Sequence, residues 1–277
     1  MWNAATGGRI AVLTSPAGTN EIVSAVEFSP DGKVLAASSP NGNIYLWDLA
    51  SRHLITTLTD PDTGRLGVNA VAFSPDGRTL AAGDSNGRTY LWDPASGHVI
   101  TTLANPATGQ YGVCTVAFGP DGKTLAATDN DGSIYLWDPA SGHLITTLTD
   151  PGSQYYGPEK VAFSPDGRTL AASSTDGNIY LWDVASGGGQ IAAFPGMGDG
   201  SLGVNAVAFS PDGKTLAAGY PDGVTRLWTL AARASYLANS AGPGADGIMT
   251  VAFSPDGKTV ATGRSDGTTG TFSVPAG

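Results

Sequence analysis

Three histidines, a single cysteine and 24 acidic residues are the side chains with which this 277-residue chain could do chemistry. A metal centre or a general-base site needs its groups converging within a few ångströms. His53, His98 and His143 instead stand 45 residues apart, each at the same place in one of three successive stretches of similar sequence, so they are expected at turn edges and apart from one another. Asp129-Asn130-Asp131-Gly132 begins like a calcium loop, but the closing bidentate Glu is missing and Ile134-Tyr135 starts a strand too early. It reads as a hairpin turn. Cys114 alone can form neither an intrachain disulfide nor a Cys-based zinc site. No Ser sits in a strand-to-helix Gly-x-Ser-x-Gly elbow, since residues 83–87 and 263–267 match those letters only at the hairpin turn between second and third strands, and no Walker loop or His-Glu-x-x-His helix occurs. The chain is therefore read as non-enzymatic, with no catalytic residue, metal or cofactor.

The bulk numbers agree with a folded binding module. Hydrophobic residues make up 41% of the chain and charged residues 14%, enough to bury a large core under an unusually neutral, Gly-rich surface. The net charge of −10 is spread along the sequence with no acidic tail. Such a field repels phosphate backbones and anionic lipid, so neither nucleic acid nor a membrane surface is expected as a partner, and basic or neutral proteins fit better. There is no run of 18 apolar residues and no signal-peptide pattern, which gives the expectation of a cytoplasmic, monomeric protein without membrane insertion.

The organisation that positions these residues is a repeat. Ser-Pro-Asp-Gly, once Gly-Pro-Asp-Gly, recurs with its Asp at 31, 76, 121, 166, 212 and 256, steps of 45, 45, 45, 46 and 44 residues. Trp47, Trp92, Trp137, Trp182 and Trp228 follow at a fixed offset, and Phe272 takes that place in the sixth unit. Within the second unit, Val68 to Ser74 reads as a strand ended by the Pro75-Asp76-Gly77 turn, in which Pro presets φ and Gly accepts positive φ. Arg78 to Gly83, an Asn86-Gly87 hairpin turn and Arg88 to Trp92 follow, and His98 to Leu103 makes a fourth strand after Asp93-Pro94-Ala95-Ser96-Gly97. Four antiparallel strands per unit make a propeller blade. The expected fold is thus all-β, a closed six-bladed propeller forming one domain over residues 1–277, with the Trp series packing between blades.

The sixth unit stops after its third strand. Trp2 to Leu13 matches Trp47 to Leu58 register for register, and Trp2 lies 45 residues before Trp47. Residues from about Arg9 to Thr14 are therefore expected to pair with Thr268 to Ser273, completing the last blade and closing the ring.

The Leu-Trp pairs, followed by Asp48, Asp93, Asp138 and Asp183 in four units, and the Val-Ala-Phe-Ser-Pro-Asp-Gly strings resemble the WD-repeat β-propeller family over essentially the whole chain. The resemblance is strongest to repeat domains of actinobacterial proteins, some fused to membrane serine/threonine kinases. It implies a rigid scaffold that binds proteins or peptides. The family's Gly-His pair before the first strand is absent; Thr59-Asp60-Pro61, Asn105-Pro106 and Asp150-Pro151 stand there. That departure puts the family's Trp-centred hydrogen-bond set in doubt. Seven blades are commonest in the family, against six here.

Positions that repeat unchanged are those the fold demands, so positions that vary mark surface free for recognition. Variation concentrates in the connection from the fourth strand to the next unit (Arg65, Leu66, Gln110, Tyr111, Tyr155, Tyr156, Met197, Leu202). It also concentrates at one register before the hairpin turn (Ser39, Asp84, Asp129, Ser174, Tyr220, Arg264). Both sets fall on one rim. Tyr, Met and Arg are enriched at interface centres, so a partner protein or peptide is expected on this face through Arg65, Tyr111, Tyr155, Tyr156, Met197, Asp84, Asp129, Tyr220 and Arg264. The alternative is a ligand-sensing propeller, the extracytoplasmic domain of a receptor-kinase-like protein.

Overall fold

The computed structural model describes residues 1, 6, 8–16, 18, 22–61, 67–106, 112–152, 160–196, 203–230, 235–241 and 247–275. Their regular structure is strand only, arranged as six antiparallel sheets. The second blade shows the plan. Its strands Val68–Phe73, Leu80–Asp84, Arg88–Asp93 and His98–Ala104 lie side by side in chain order, each joined to the next by a tight turn.

Period-two alternation gives every blade two apolar faces. In the second blade, Val71, Phe73, Leu80, Ala82, Tyr90 and Trp92 pack toward Ala36, Ile44, Leu46 and Leu58 of the first blade. Ala70, Ala72, Ala81, Leu91 and Leu103 pack toward the third. Burying one such Leu contributes about 1.5–3 kcal/mol. The Trp side chains at 47, 92, 137, 182 and 228 are 3–8% exposed, inter-blade core as the spacing requires. Trp92 and Trp137 leave their indole N–H without an acceptor. These two tryptophans are held by packing and not through a hydrogen-bonded set, in line with the missing Gly-His pairs.

The turns carry the repeat's polar signature. At the Pro-Asp-Gly turns Gly32, Gly77, Gly122, Gly167, Gly213 and Gly257 take φ between 67° and 71°. In the second blade Asp76 Oδ1 accepts from Ser74 Oγ at 2.6 Å and from the Arg78 N–H at 3.0 Å, while Ser74 Oγ accepts from the Thr79 N–H at 2.9 Å. These bonds, led by the Ser74 hydroxyl, hold the Asp76 carboxyl below the usual carboxylate range. Between third and fourth strands, Asp93 accepts from Ala95 N–H and Ser96 Oγ, and Gly97 turns the chain at φ 73°. In the first blade Arg52 holds the Gly97 position at φ 64°.

A bulge lies beside the Trp in the outer pair of blades one to five. In four of them it extrudes an isoleucine, so Ile55, Ile100, Ile145 and Ile191 are 51–56% exposed around the circumference. A bulged, kinked outer strand is a poor template for pairing with another sheet edge.

One expected ladder is absent. The sixth sheet has three strands, Ile248–Phe253, Thr259–Arg264 and Thr269–Ser273, and no ladder joins Arg9 to Thr14 to it among the described residues. Two causes are visible. The amino-terminal segment uses its backbone locally: the Ile10 N–H donates to Met1 O at 3.0 Å and the Met1 ammonium donates to Ala11 O at 2.7 Å. The sixth blade's outward face is also poor in large apolar residues, because Thr271 stands where Leu46, Leu91, Leu136, Leu181 and Leu227 fill the other five. Leu13 does pack on Leu35, Tyr45 and Trp47 of the first blade, the place that Leu58 takes on the second. Val26 and Phe28 remain 56% and 55% exposed, whereas their counterparts Val71 and Phe73 are both 7% exposed.

Candidate rim for partner binding

The hairpin turns between second and third strands share one rim with the described ends of the connections from fourth strand to next blade, such as Asp60 and Gly67 or Asn105 and Gly112; the connecting residues themselves lie outside the described residues. The first blade's hairpin turn anchors both neighbours, and those of blades two to five make one or the other of the same bonds among the described residues. The Asp60, Asn105 and Asp150 N–H groups donate to Gly42, Gly87 and Gly132 O at 2.8, 3.1 and 2.9 Å, fixing where the outer strand of the same blade ends. The Val68 N–H donates to Ser39 O at 3.1 Å, the Val204 N–H to Ser174 O at 3.0 Å and the Ile248 N–H to Tyr220 O at 2.9 Å, fixing where the next blade begins. Asn69 and Asn205 reinforce the ring by donating from Nδ2 to Val113 O and Ile248 O of the following blade, at 3.0 and 2.9 Å.

Close approach at these junctions requires glycine. A Cβ on Gly67 would sit 2.1 Å from Pro40 Cα, and one on Gly112 would sit 2.6 Å from Ser85 Cα. The repeated Gly-Val pair at 67–68 and 112–113 is the sequence signal of this backbone contact, distinct from the turn glycines of the repeat. Asp60, Asn105 and Asp150, which the repeat pattern does not single out, close the gap between blades: Asn105 Nδ2 of the second blade donates to Asp129 Oδ2 of the third at 3.4 Å.

The predicted contact residues divide sharply. Arg65, Tyr111, Tyr155, Tyr156 and Met197 lie outside the described residues. Asp84, Asp129 and Tyr220 are on the rim, but at 0%, 1% and 3% exposure their side chains point into the ring and do not face solvent as the rim reading expects. The register before the turn ends the second strand, and that strand is interior on both faces. Asp84 Oδ1 accepts from the Asn86 and Arg88 N–H groups at 2.9 and 2.7 Å, capping its own hairpin. Burial pushes its carboxyl up. Asp129 is pushed up to about 7, by burial first and then by the neighbouring Asp131. Burial likewise raises Asp60 and Asp150, and raises the Tyr90 and Tyr180 hydroxyls to about 12. In the fifth blade the pattern is exchanged: Arg226 lies with Cζ 4.1 Å over the Tyr220 ring and pairs with Asp222 at 2.6 Å. Arg264 is half-buried and its Nε has no partner. Outward-facing on these turns are Asn41, Asn130, Asp222 and Ser265.

His53, His98 and His143 are exposed and each opens or precedes an outer strand. No group of three His, Cys, Asp or Glu side chains that could hold a metal occurs among the described residues. Asp129 and Asp131 belong to a hairpin turn.

Six sheets of this pattern around one axis define a WD-repeat β-propeller. A family model described as the first β-propeller of IFT122 matches residues 1–273, and the chain belongs to that family. A solved structure titled "Crystal Structure of Mitotic Checkpoint Complex" contains a chain 23% identical with a TM-score of 0.82, covering 99% of this chain and 80% of that one. That likeness shows the fold. Among curated proteins no sequence match was found. WD-repeat propellers generally mediate protein–protein interactions.

Proposed function

We propose that the chain is a protein-interaction scaffold that binds a partner protein or peptide on the hairpin rim. The observation that carries the reading is the division of labour within each repeat. Core, Pro-Asp-Gly turns and junction glycines recur from blade to blade, whereas the connections to the next blade differ and the first two residues of the hairpin turn (Ser39-Pro40, Asp84-Ser85, Asp129-Asn130, Ser174-Thr175, Tyr220-Pro221, Arg264-Ser265) form a different pair in each. Arg65, Tyr111, Tyr155, Tyr156, Met197 and Arg264 are the proposed contact groups. Asp84, Asp129 and Tyr220 act beneath them, holding the turns at fixed height. The absence of a convergent catalytic set in the sequence supports a non-enzymatic role, and the acidic balance favours a basic or neutral partner.

Photo-crosslinking tests this. A photoreactive amino acid at Asn41, Asn130, Asp222 or Ser265 should capture the same partner from a cell extract, and one at Lys33, Arg78 or Lys123 on the opposite rim should capture none of it. Capture from the opposite rim alone would overturn the assignment. No helix among the described residues is long and apolar enough to cross a membrane.

A further inference from the structure

In the hairpin between second and third strands, the residue before the turn glycine is Asn41, Asn86, Asp131, Asp176, Asp222 and Asp266 in blades one to six. Two of these turns are therefore Asn-Gly. In such a pair the side-chain amide is open to attack by the next backbone nitrogen, because glycine carries no Cβ to hinder the approach. Asn41 is exposed and Asn86 half-buried, so exposure alone would make Asn41 the more reactive. The bonds that hold the two turns rank them the other way.

In five blades the Oδ1 of this residue accepts from the N–H two residues on. Asn41 takes it from Asn43 at 2.9 Å, Asp131 from Ser133 at 2.8 Å, Asp176 from Asn178 at 2.8 Å, Asp222 from Val224 at 2.9 Å and Asp266 from Thr268 at 2.8 Å. The second blade breaks the pattern. There Asp84, 0% exposed, takes the Arg88 N–H with its own Oδ1 at 2.7 Å. Asn86 keeps one side-chain bond, from Nδ2 to Asp84 Oδ2 at 3.4 Å, and its Oδ1 accepts from no group among the described residues. The turn glycine differs as well. The Gly42, Gly177, Gly223 and Gly267 N–H groups donate back to Ser39, Ser174, Tyr220 and Arg264 O at 3.1–3.2 Å, and the Gly87 N–H makes no such bond. Both reacting groups are thus tied down in the first blade and released in the second.

We propose that Asn86 is a self-modification site, at which the Gly87 nitrogen attacks the Asn86 amide and a second carboxyl is left beside Asp84. The Gly87 nitrogen bonds to Asn86 Cγ and gives its proton to water. The Cγ–Nδ2 bond breaks, and the nitrogen departs as ammonia after taking a proton from water. A water molecule then opens the cyclic imide to an aspartyl or isoaspartyl residue. The fold accepts the aspartyl product, since four blades already carry Asp at this register. The third blade shows the result: Asp131 stands beside Asp129, whose carboxyl burial and then Asp131 push up to about 7. Conversion at position 86 builds the same carboxyl pair one blade earlier and adds a negative charge to the rim. The chemistry is internal to the turn and does not depend on what the rim binds.

The native chain, with Asn41 as its internal control, provides the test. Samples held at mildly alkaline pH are digested at intervals, and mass spectrometry of the peptides reads the replacement of amide by carboxyl at each site. Asn86 should convert at least threefold faster than Asn41. In chain unfolded by urea, where neither turn exists, the two should convert within about twofold of each other. Asn86→Asp, which makes the aspartyl product directly, should keep the circular dichroism of the native chain. Asn41 keeping pace with Asn86 in the native chain, a ratio that unfolding leaves unchanged, or an Asn86→Asp chain that does not fold would overturn the proposal.

Discussion

Replacing Asp129 by Asn should make the protein more stable at pH 8 and change little at pH 5. Asp129 is 1% exposed, and its folded carboxyl titrates near 7 against an ordinary value of 3.8. Because the folded value lies above the unfolded one, the native state holds more protons between about pH 4 and pH 7, and stability falls as pH rises through that window. At about 1.4 kcal/mol per tenfold, the full displacement would cost about 4 kcal/mol once Asp129 is ionised in the fold. Asp131, whose own carboxyl is held down, chiefly by its bonds to Asp129 and Ser133 against the opposing effect of burial, offsets part of this, which leaves about 2–4 kcal/mol. An Asn side chain keeps an oxygen for the Asp131 and Ser133 N–H groups, now at 3.3 and 3.4 Å. Urea unfolding followed by Trp fluorescence at pH 5, 6, 7 and 8 reads the difference between the two proteins. Asp60, Asp84 and Asp150, raised by burial as well, tilt both curves alike and drop out of it. A difference that stays constant with pH, or a variant less stable at pH 8, would refute the reasoning.

Phe73→Ala should cost about 3–5 kcal/mol because it empties an inter-blade core, while Phe28→Ala, at the uncovered face of the first blade, should cost under about 1 kcal/mol; calorimetry of both compares them, and equal losses would mean that the sixth blade covers Phe28 in solution. Arg52→Gly should stabilise by about 0.5–1 kcal/mol by relieving a left-handed backbone at a non-glycine residue, with Gly97→Arg destabilising by a similar amount in the same melts. Gly112→Ala should lower the melting temperature more than Gly189→Ala, since a Cβ at 112 meets Ser85 backbone, whereas a Cβ at 189 meets nothing within 4 Å and that residue does not need positive φ.

Much of this was readable because a blade repeats its physics along with its letters. Pro-Asp-Gly needs positive φ at its glycine, the Leu-Trp third strand needs a face on each neighbour, and both requirements recur every 45 residues or so, so six blades could be counted from residues alone. The rim was legible as a place and less so as a set of side chains. Asp84, Asp129 and Tyr220 vary like surface residues, yet a second strand flanked by two blades has no solvent side, and variation there reflects different ways of filling one buried position. The missing closing ladder was hidden for a related reason. Trp2 to Leu13 copies the local pattern of an outer strand, and Leu13 does take an outer strand's place on Trp47, but pairing also depends on the partner face, where Thr271 replaces a leucine.

Hydrogen exchange on the complex with the crosslinked partner tests the scaffold account most directly. Slowed exchange should appear in the hairpin turns around residues 39–42, 84–87, 129–132, 174–177, 220–223 and 264–267 and in the connections beside them, with the outer strands unchanged. Protection confined to the outer strands or to the circumference, with those turns exchanging as in the free protein, would contradict it.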